Sequence, residues 1–315
     1  MEQSVETALR LKAQELGFQH IGFAEAGTSQ TIEFYQSWID RGFGAGMDYL
    51  ARTVEARSNL EKLLPGARSI VAVALNYSQP NPHVEGMPRI ATYALGRDYH
   101  KVLKGKLKSF GAILSEAGHD WRVCVDAIPL LEREWAQRAG IGWFGKNTCL
   151  INSRTGSWFL LGFVVTTAVL APDSPAVGGC GTCRMCIDAC PTGAIVFGDG
   201  RWQVDSRSCI SYWTIEHRGE IPPHMHAGIG NWTFGCDICQ SVCPFNQVRE
   251  SQPDRAVVTT EPDFLAGRSW PSLVEILEMD HETWDRLTQG SPVRRAGFEG
   301  LKRNARINLG NLSEG

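Results

Sequence analysis

CGTCRMCIDACP, residues 180–191, and CDICQSVCP, residues 236–244, are the two stretches on which the reading of this chain turns. Eight of the ten cysteines in the 315 residues lie between Cys180 and Cys243. An iron–sulfur cubane needs four thiolates converging from four directions, and two-residue gaps on a tight loop supply three of them from one segment. The fourth must come from elsewhere in the chain. Where two such clusters share a fold, the cysteine before proline in each run crosses to the other cluster. That rule predicts one 4Fe-4S site from Cys180, Cys183, Cys186 and Cys243, and a second from Cys190, Cys236 and Cys239. The missing ligand of the second is most simply Cys209, because the second run opens CDIC and lacks a further leading CxxC. A chain built this way handles single electrons.

Zinc and disulfides are the alternatives. Zinc ribbons usually space their paired CxxC knuckles without a CxxxCP ending. Disulfides suit an oxidising compartment, whereas Met1–Leu11 begins acidic and polar, without the basic and apolar regions of a signal peptide. Cys124 (WRVCVDA) and Cys149 (NTCLIN) stand outside the runs in apolar settings and read as buried core thiols. The longest apolar stretch, WFLLGFVVTTAVLA at 158–171, is shorter than the roughly 20 residues of a membrane helix. Its β-branched residues predict a buried strand or two. A cytoplasmic chain without membrane contact is the expectation. The formal net charge of −3 gives no global attraction to nucleic acid, so such a partner would have to meet a local basic patch.

Outward from the cysteines, residues 1–171 alternate helical and strand patterns, the mark of an α/β layer. Helices are predicted at Val5–Leu16, Thr31–Arg41, Asp98–Gly118 and Pro129–Gly140, the last with proline in its first turn. Strands are predicted at HIGFAEA after Gly17 and at Ser69–Tyr77, Trp121–Ala127, Thr148–Asn152 and Trp158–Leu170. PDSPAVGG, residues 172–179, breaks the composition and separates this layer from a ferredoxin-like two-cluster segment, residues 172–250. So few apolar residues cannot fill a core there without the metal. Residues 251–315 read as polar helices ending in RRAGFEGLKRNAR, where five basic residues outnumber one acidic. The fold class expected is α+β or α/β: an N-terminal α/β domain, a two-cluster domain and C-terminal helices.

A wire does not need some 170 residues of α/β domain before it, so that domain is where the electrons should be used. Gly42–Gly46 lacks a following GxxG and no Walker lysine motif occurs, so a dinucleotide site is weakly supported. VDAIPLLEREWAQRAGIGWFGKN, residues 125–147, is the richest candidate. Asp126 falls at the C-terminal end of a predicted strand, where α/β proteins place ligands. It equally suits a turn residue capping the next helix. Trp143, Lys146 and Asn147 read either as ligand contacts or as a solvated loop with one packed aromatic. Lys101, Lys104, Lys106 and Lys108 share one helix, and such a charge run is usually a solvated face.

Four phrases in order, ATYALGRDYHKVLKGKL (91–107), the 125–147 stretch, CISYWTIEHRGEIP (209–222) and SPVRRAGFEGLKRN (291–304), together resemble the epoxyqueuosine reductases. The resemblance runs along nearly the whole chain, as a short form without the helical-repeat extension of some members. It implies a cobalamin-dependent reductase that converts epoxyqueuosine to queuosine at the wobble position of tRNA, with cobalamin bound base-off and fed by two 4Fe-4S clusters. The DxHxxG signature of many cobalamin enzymes is absent: His20 sits in FQHIGF with no aspartate two residues before it. Asp126 matches the family's proposed proton donor, and burial beside the corrin is expected to raise its pKa. Arg57, Asn147, Ser211 and Asp237 match positions that contact cobalamin.

With that resemblance, Arg294, Arg295, Lys302, Arg303 and Arg306 become the candidates for tRNA phosphates. Tyr212, Trp213 and Trp232 are candidates to hold an extruded base, or else pack around the clusters. A flavodoxin- or ferredoxin-type electron donor and a monomer complete the expectation. The same parts would serve a reductive-dehalogenase-like corrinoid reductase of a small molecule, or an electron-transfer subunit without a corrin.

Overall fold

SIVAVALN forms the strand Ser69–Asn76, buried along its whole length. Its side chains alternate between two cores, as the period of two in a strand requires: Val71, Val73 and Leu75 enter one, Ile70, Ala72 and Ala74 the other. It pairs antiparallel with His20–Glu25 on one side and with Phe159–Thr166 on the other. The outer edge of Phe159–Thr166 takes Trp121–Cys124, again antiparallel, which completes a four-stranded sheet. The mixed helix-and-strand architecture expected is thus present in its α+β form. The computed structural model from which this architecture is drawn describes residues 4–265 and 267–314. Residues 1–3, 266 and 315, assigned from the sequence to the first and last segments, lie outside the described residues.

Helices cover both faces of the sheet. Val5–Glu15 and Tyr99–Glu116 bring Leu9, Leu103, Leu107 and Phe110 to one core. Glu132–Arg138 brings Trp135 and Ala136 to the other. Asp98 caps the long helix, its carboxylate accepting from His100 N at 3.0 Å. Lys101 and Lys108 are exposed, whereas Lys106 turns inward to Leu16 O at 2.8 Å and to the Glu261 carboxylate at 2.7 Å. Gly22 is required where it stands, because a Cβ there would fall 1.8 Å from Ala139 O at the end of the opposing helix.

Several predicted elements come out shorter: the strand expected at Trp121–Ala127 stops at Cys124, and the one expected at Trp158–Leu170 runs Phe159–Thr166. The helix expected at Pro129–Gly140 is confined to Glu132–Arg138, so Pro129 precedes it rather than opening it. The strand expected at Thr148–Asn152 is only Leu150–Ile151, which folds back on Trp143–Phe144 as a short hairpin. A pattern of apolar residues cannot reveal such short pairings, which tertiary contacts decide.

The PDSPAVGG break is strapped to the first domain: the Asp173 carboxylate meets Arg10 Nη2 at 2.8 Å and accepts from Phe23 N at 2.8 Å. The cysteine runs end in four-residue helices, Met185–Asp188 and Ile238–Ser241. A hairpin, Ile195–Gly198 with Arg201–Val204, returns to the N-terminal part, where Trp38 Nε1 donates to Val204 O at 2.8 Å. Helices follow, as expected, at Leu273–Glu278, His281–Thr288 and Phe298–Glu314. The last is locked by the fully buried Asn304, whose amide donates to Thr214 O and Thr233 O, each at 2.9 Å. Among the described residues no helix is long and apolar enough to cross a membrane.

Candidate active site

Asp126 follows the strand Trp121–Cys124 with a left-handed backbone, φ 47°. Asp tolerates this conformation better than most residues, and here it turns the carboxyl out of the strand. Its backbone N–H donates to Glu132 Oε1 at 2.6 Å. The capping alternative is overturned, because Leu131 occupies the N-cap of the next helix and no side chain caps it. Oδ2 of Asp126 instead meets the Tyr99 hydroxyl and, at 3.2 Å, His100 Nε2. His100 Nδ1 in turn lies 2.8 Å from Asp98 Oδ1. One imidazole is held between two carboxylates.

The charges follow from these contacts. Burial disfavours the His100 cation, but the hydrogen bonds and charges of Asp126 and Asp98 outweigh it, and its pKa rises to about 9. The Asp126 side chain is more than half exposed; the neighbours that crowd it pull its carboxyl upward, yet hydrogen bonds from His100 and Tyr99 prevail, with the charges of His100 and Arg295 adding to them. Its carboxyl is held below the usual value. The rise expected from the sequence depends on burial beside a corrin; with its carboxyl exposed, Asp126 is held as the anion by His100 and Tyr99, and the available proton sits on His100. Glu132 is the acid that burial raises, to about 8, with the nearby Asp126 charge adding to the effect.

The field of this site reaches other segments. Burial drives the Tyr93 hydroxyl far above its usual value, and Asp126, Asp237 and Glu216 add to the shift. Glu216 binds Arg295 through three contacts, Nε at 3.0 and 3.2 Å and Nη2 at 2.7 Å, and the guanidinium lies 5.7 Å from the Tyr49 ring. Tyr49, Tyr93, Glu216 and Arg295 thus join Asp126 from distant parts of the chain. The buried Asp237 accepts from Thr92 N at 2.8 Å and Thr92 Oγ1 at 2.7 Å. Arg57 Nη1 donates to Leu130 O at 2.8 Å, bracing the loop after Asp126. Asn147 is buried and donates to Cys239 O at 3.1 Å. Ser211 opens the π-helical turn Tyr212–Glu216, an irregularity frequent at functional sites.

The eight thiols fall into two neighbourhoods. Burial raises the Cys186 thiol to about 11, and Cys180, Cys243 and Cys183 reinforce it. Burial raises Cys236 to about 12, with Cys209 and Cys190 contributing, and Cys239 feels Cys236 and Cys209. Among the described residues no three ligands converge on one point, as they would around a single tetrahedral ion; a cubane spreads its thiolates more widely. The donor chemistry of both groups fits 4Fe-4S clusters. Cys124 is a core thiol, as expected, but Cys149 differs in being only half-buried, beside the Cys239 thiol. A recess of about 560 Å³ is lined by polar Ser78, Asn81, Thr92 and Gln247 together with apolar Pro80, Trp158, Ala256 and Val258, and none of the five residues expected at cobalamin lines it. Thr92 joins that recess to Asp237.

Residues 57–127 match the family profile described as epoxyqueuosine reductase QueG, DUF1730, and residues 179–246 match a 4Fe-4S double cluster binding domain. An epoxyqueuosine reductase of Xanthomonas campestris pv. campestris is 39% identical over 314 residues, covering 96% of this chain and 86% of the relative. One from Synechococcus sp. CC9605 is 40% identical, covering 95% of this chain and 92% of the relative. The chain belongs to the epoxyqueuosine reductase family.

Members of this reductase family depend on cobalamin and iron–sulfur clusters. The structure of epoxyqueuosine reductase from Streptococcus thermophilus superposes with a TM-score of 0.85 at 30% identity, covering 98% of this chain and 82% of that one. A crystal structure of epoxyqueuosine reductase with an epoxyqueuosine-modified tRNA-Tyr stem loop gives 0.84 at 28% identity, with the same coverage.

Placed on this reductase fold, the basic C-terminal candidates separate. Arg306 is exposed, and Arg295 stands at the Asp126 site. Arg294 pairs with Asp285, and Lys302 donates to Met279 O at 3.1 Å. Arg303 is a correction: it is buried, and its guanidinium donates to Trp213 O, His217 O and Gly219 O, so it is spent on the fold. Of the aromatic candidates, Trp232 is buried under Arg89. Tyr212 is buried with its hydroxyl accepting from Gly46 N at 3.0 Å. Both pack rather than present a face; Trp213 is only half-buried.

Sequence reasoning missed Tyr99, His100 and Glu132 as site residues. The signal was present in RDYH, where an aspartate two residues before a histidine at a helix start is chemically dense, but only the sheet brings it to Asp126.

Proposed function

We propose that this chain reduces epoxyqueuosine to queuosine in tRNA, in the cytoplasm and as a monomer, taking electrons from a flavodoxin- or ferredoxin-type donor. The observation that carries this reading is the Asp98–His100–Asp126 array, standing in a chain that matches a tRNA-bound epoxyqueuosine reductase over nearly its whole length. In this reading Cys180, Cys183, Cys186 and Cys243 hold one cluster and Cys190, Cys209, Cys236 and Cys239 the other. Arg57, Asp126, Asn147, Ser211 and Asp237 border the cobalamin. The division at residues 171/172 and 250/251 belongs to the same proposal.

Removing the epoxide oxygen takes two electrons and two protons and yields an alkene and water. Bound cobalamin, supplied by the clusters, provides a low-valent metal that can deliver the electrons. The chain's own residues relay the two protons in turn. His100 Nε2, protonated up to about pH 9, passes the first to Asp126 Oδ2, 3.2 Å away, and Asp126 gives it to the departing oxygen; His100, reprotonated from solvent, sends the second by the same path, and the oxygen leaves as water. Asp98 holds the imidazole in line. Tyr99 fixes the Asp126 carboxyl from the other side. Arg295 and the exposed Arg306 meet tRNA phosphates near the site.

The test is an anaerobic assay with tRNA carrying epoxyqueuosine, following loss of one oxygen from the nucleoside by mass. Turnover is expected from the wild type. Asp126→Asn is expected to retain clusters and cobalamin and to lose turnover; full activity in that variant would remove Asp126 from the mechanism. A protein that binds cobalamin yet leaves the tRNA unchanged would overturn the substrate.

A further inference from the structure

Lys146 and Trp143 are unused by the reaction just described, and both stand on the hairpin loop that faces the first cysteine run. Lys146 Nζ donates to Gly181 O at 2.7 Å and to Cys183 O at 2.8 Å, inside the loop that carries three of the thiols. Trp143 is buried against Cys243 and Cys180. Its ring covers Gly178, where a Cβ would fall 2.3 Å from the indole, and it meets Phe245 edge-on at 5.1 Å. Its Nε1 is buried with no hydrogen-bond partner among the described residues. Trp135, Trp270 and Trp284 also bury an N–H without a partner among the described residues, but of these four Trp143 is the one packed with Cys180 and Cys243, whose sulfurs can accept such a donor.

We propose that Trp143 and Lys146 form a donor clamp, contributed by the N-terminal domain, that raises the reduction potential of the cluster bound by Cys180, Cys183, Cys186 and Cys243. Reduction adds a negative charge to an already anionic cluster. An ammonium on the loop carbonyls and an N–H directed at sulfur both favour the reduced form, since hydrogen bonding and local charge set such potentials. Arg255, buried and donating to Pro244 O at 3.2 Å, adds a cation on the Cys243 side. The other thiol group has neutral groups on Cys190 Sγ, Ala194 N donating at 3.4 Å and Thr192 Oγ1 at 3.7 Å, and the buried Asp237 carboxylate beside Cys236. That anion opposes reduction there, so the first cluster is reduced before the second and holds an electron until it is drawn onward.

This inference rests on the two-cluster reading. Its test is a redox titration of the anaerobic full-length protein, followed by electron paramagnetic resonance and paired with iron analysis, without tRNA or cobalamin. Cys243→Ser marks the wave of the first cluster by altering its signal. Lys146→Met and Trp143→Phe are each expected to move that wave to lower potential with iron content unchanged and the other wave still. Lys146→Arg is expected to restore it. Unmoved midpoints with full iron in both variants would overturn the proposal. So would loss of iron in Lys146→Met together with an unmoved wave in Trp143→Phe, which would leave only a structural role. Absence of any cluster signal from the wild type would instead overturn the two-cluster reading.

Discussion

His100 sets the proton balance of the site, and its sign of dependence on pH can be worked out. Its pKa rises from 6.5 to about 9 on folding, so the stability it contributes is fully present below about 6.5 and is lost as pH climbs through about 9. Turnover is expected to fall over that upper limb, because the neutral imidazole has no proton for Asp126. His100→Gln is expected to lower turnover by roughly 10²–10⁴, the range for a positioned acid or base, and to abolish the limb; a pH–rate profile reads both. Glu132 behaves in the same direction over a lower window, between 4.5 and about 8. Glu132→Gln, neutral at every pH, is expected to remove that window from a stability–pH curve. Asp126 itself was legible in the sequence, at a strand end before a helix. Its partners were not, because residues 99 and 126 meet only through the folded sheet.

Among the elements, the strand Ser69–Asn76 and the helix Tyr99–Glu116 were plain from their periodicity, since burial on two faces and on one stripe leaves different patterns. The Trp143–Ile151 hairpin was not, since two-residue strands leave no period to read. Close packing between elements makes Gly22→Ala a sharp probe: its Cβ would strike Ala139 O. A loss of roughly 1–3 kcal/mol is expected from such overpacking, measured by denaturant unfolding. The C-terminal helix separates structure from recognition. Arg303→Ala strips a charged donor from three carbonyls and is expected to cost about 3 kcal/mol. Arg306→Ala, at an exposed position, is expected to leave unfolding unchanged and to reduce the salt slope of tRNA binding by roughly 1.

At the scale of the whole molecule, the sheet is expected to hold its fold without the metal that the cysteine runs need. The two cores flanking Ser69–Asn76 are built from the N-terminal segments, with Phe264 the one later residue. Iron removal by a chelator is expected to raise hydrogen exchange in residues 180–190 and 236–243 while Ser69–Asn76 and Phe159–Thr166 stay protected. Equal loss across both regions would mean that the sheet also needs the metal. The proposed crossing of the ligand sets would have a further result for how the protein is made. In it Cys243 closes the first set and Cys209, Cys236 and Cys239 complete the second, whereas the hairpin that meets the first run ends at Ile151. During synthesis from the N-terminus the receiving surface is ready well before the last thiols leave the ribosome. Neither cluster can be finished until nearly four-fifths of the chain has been translated, so metal loading is a late event, and a truncated or stalled chain carries no complete set.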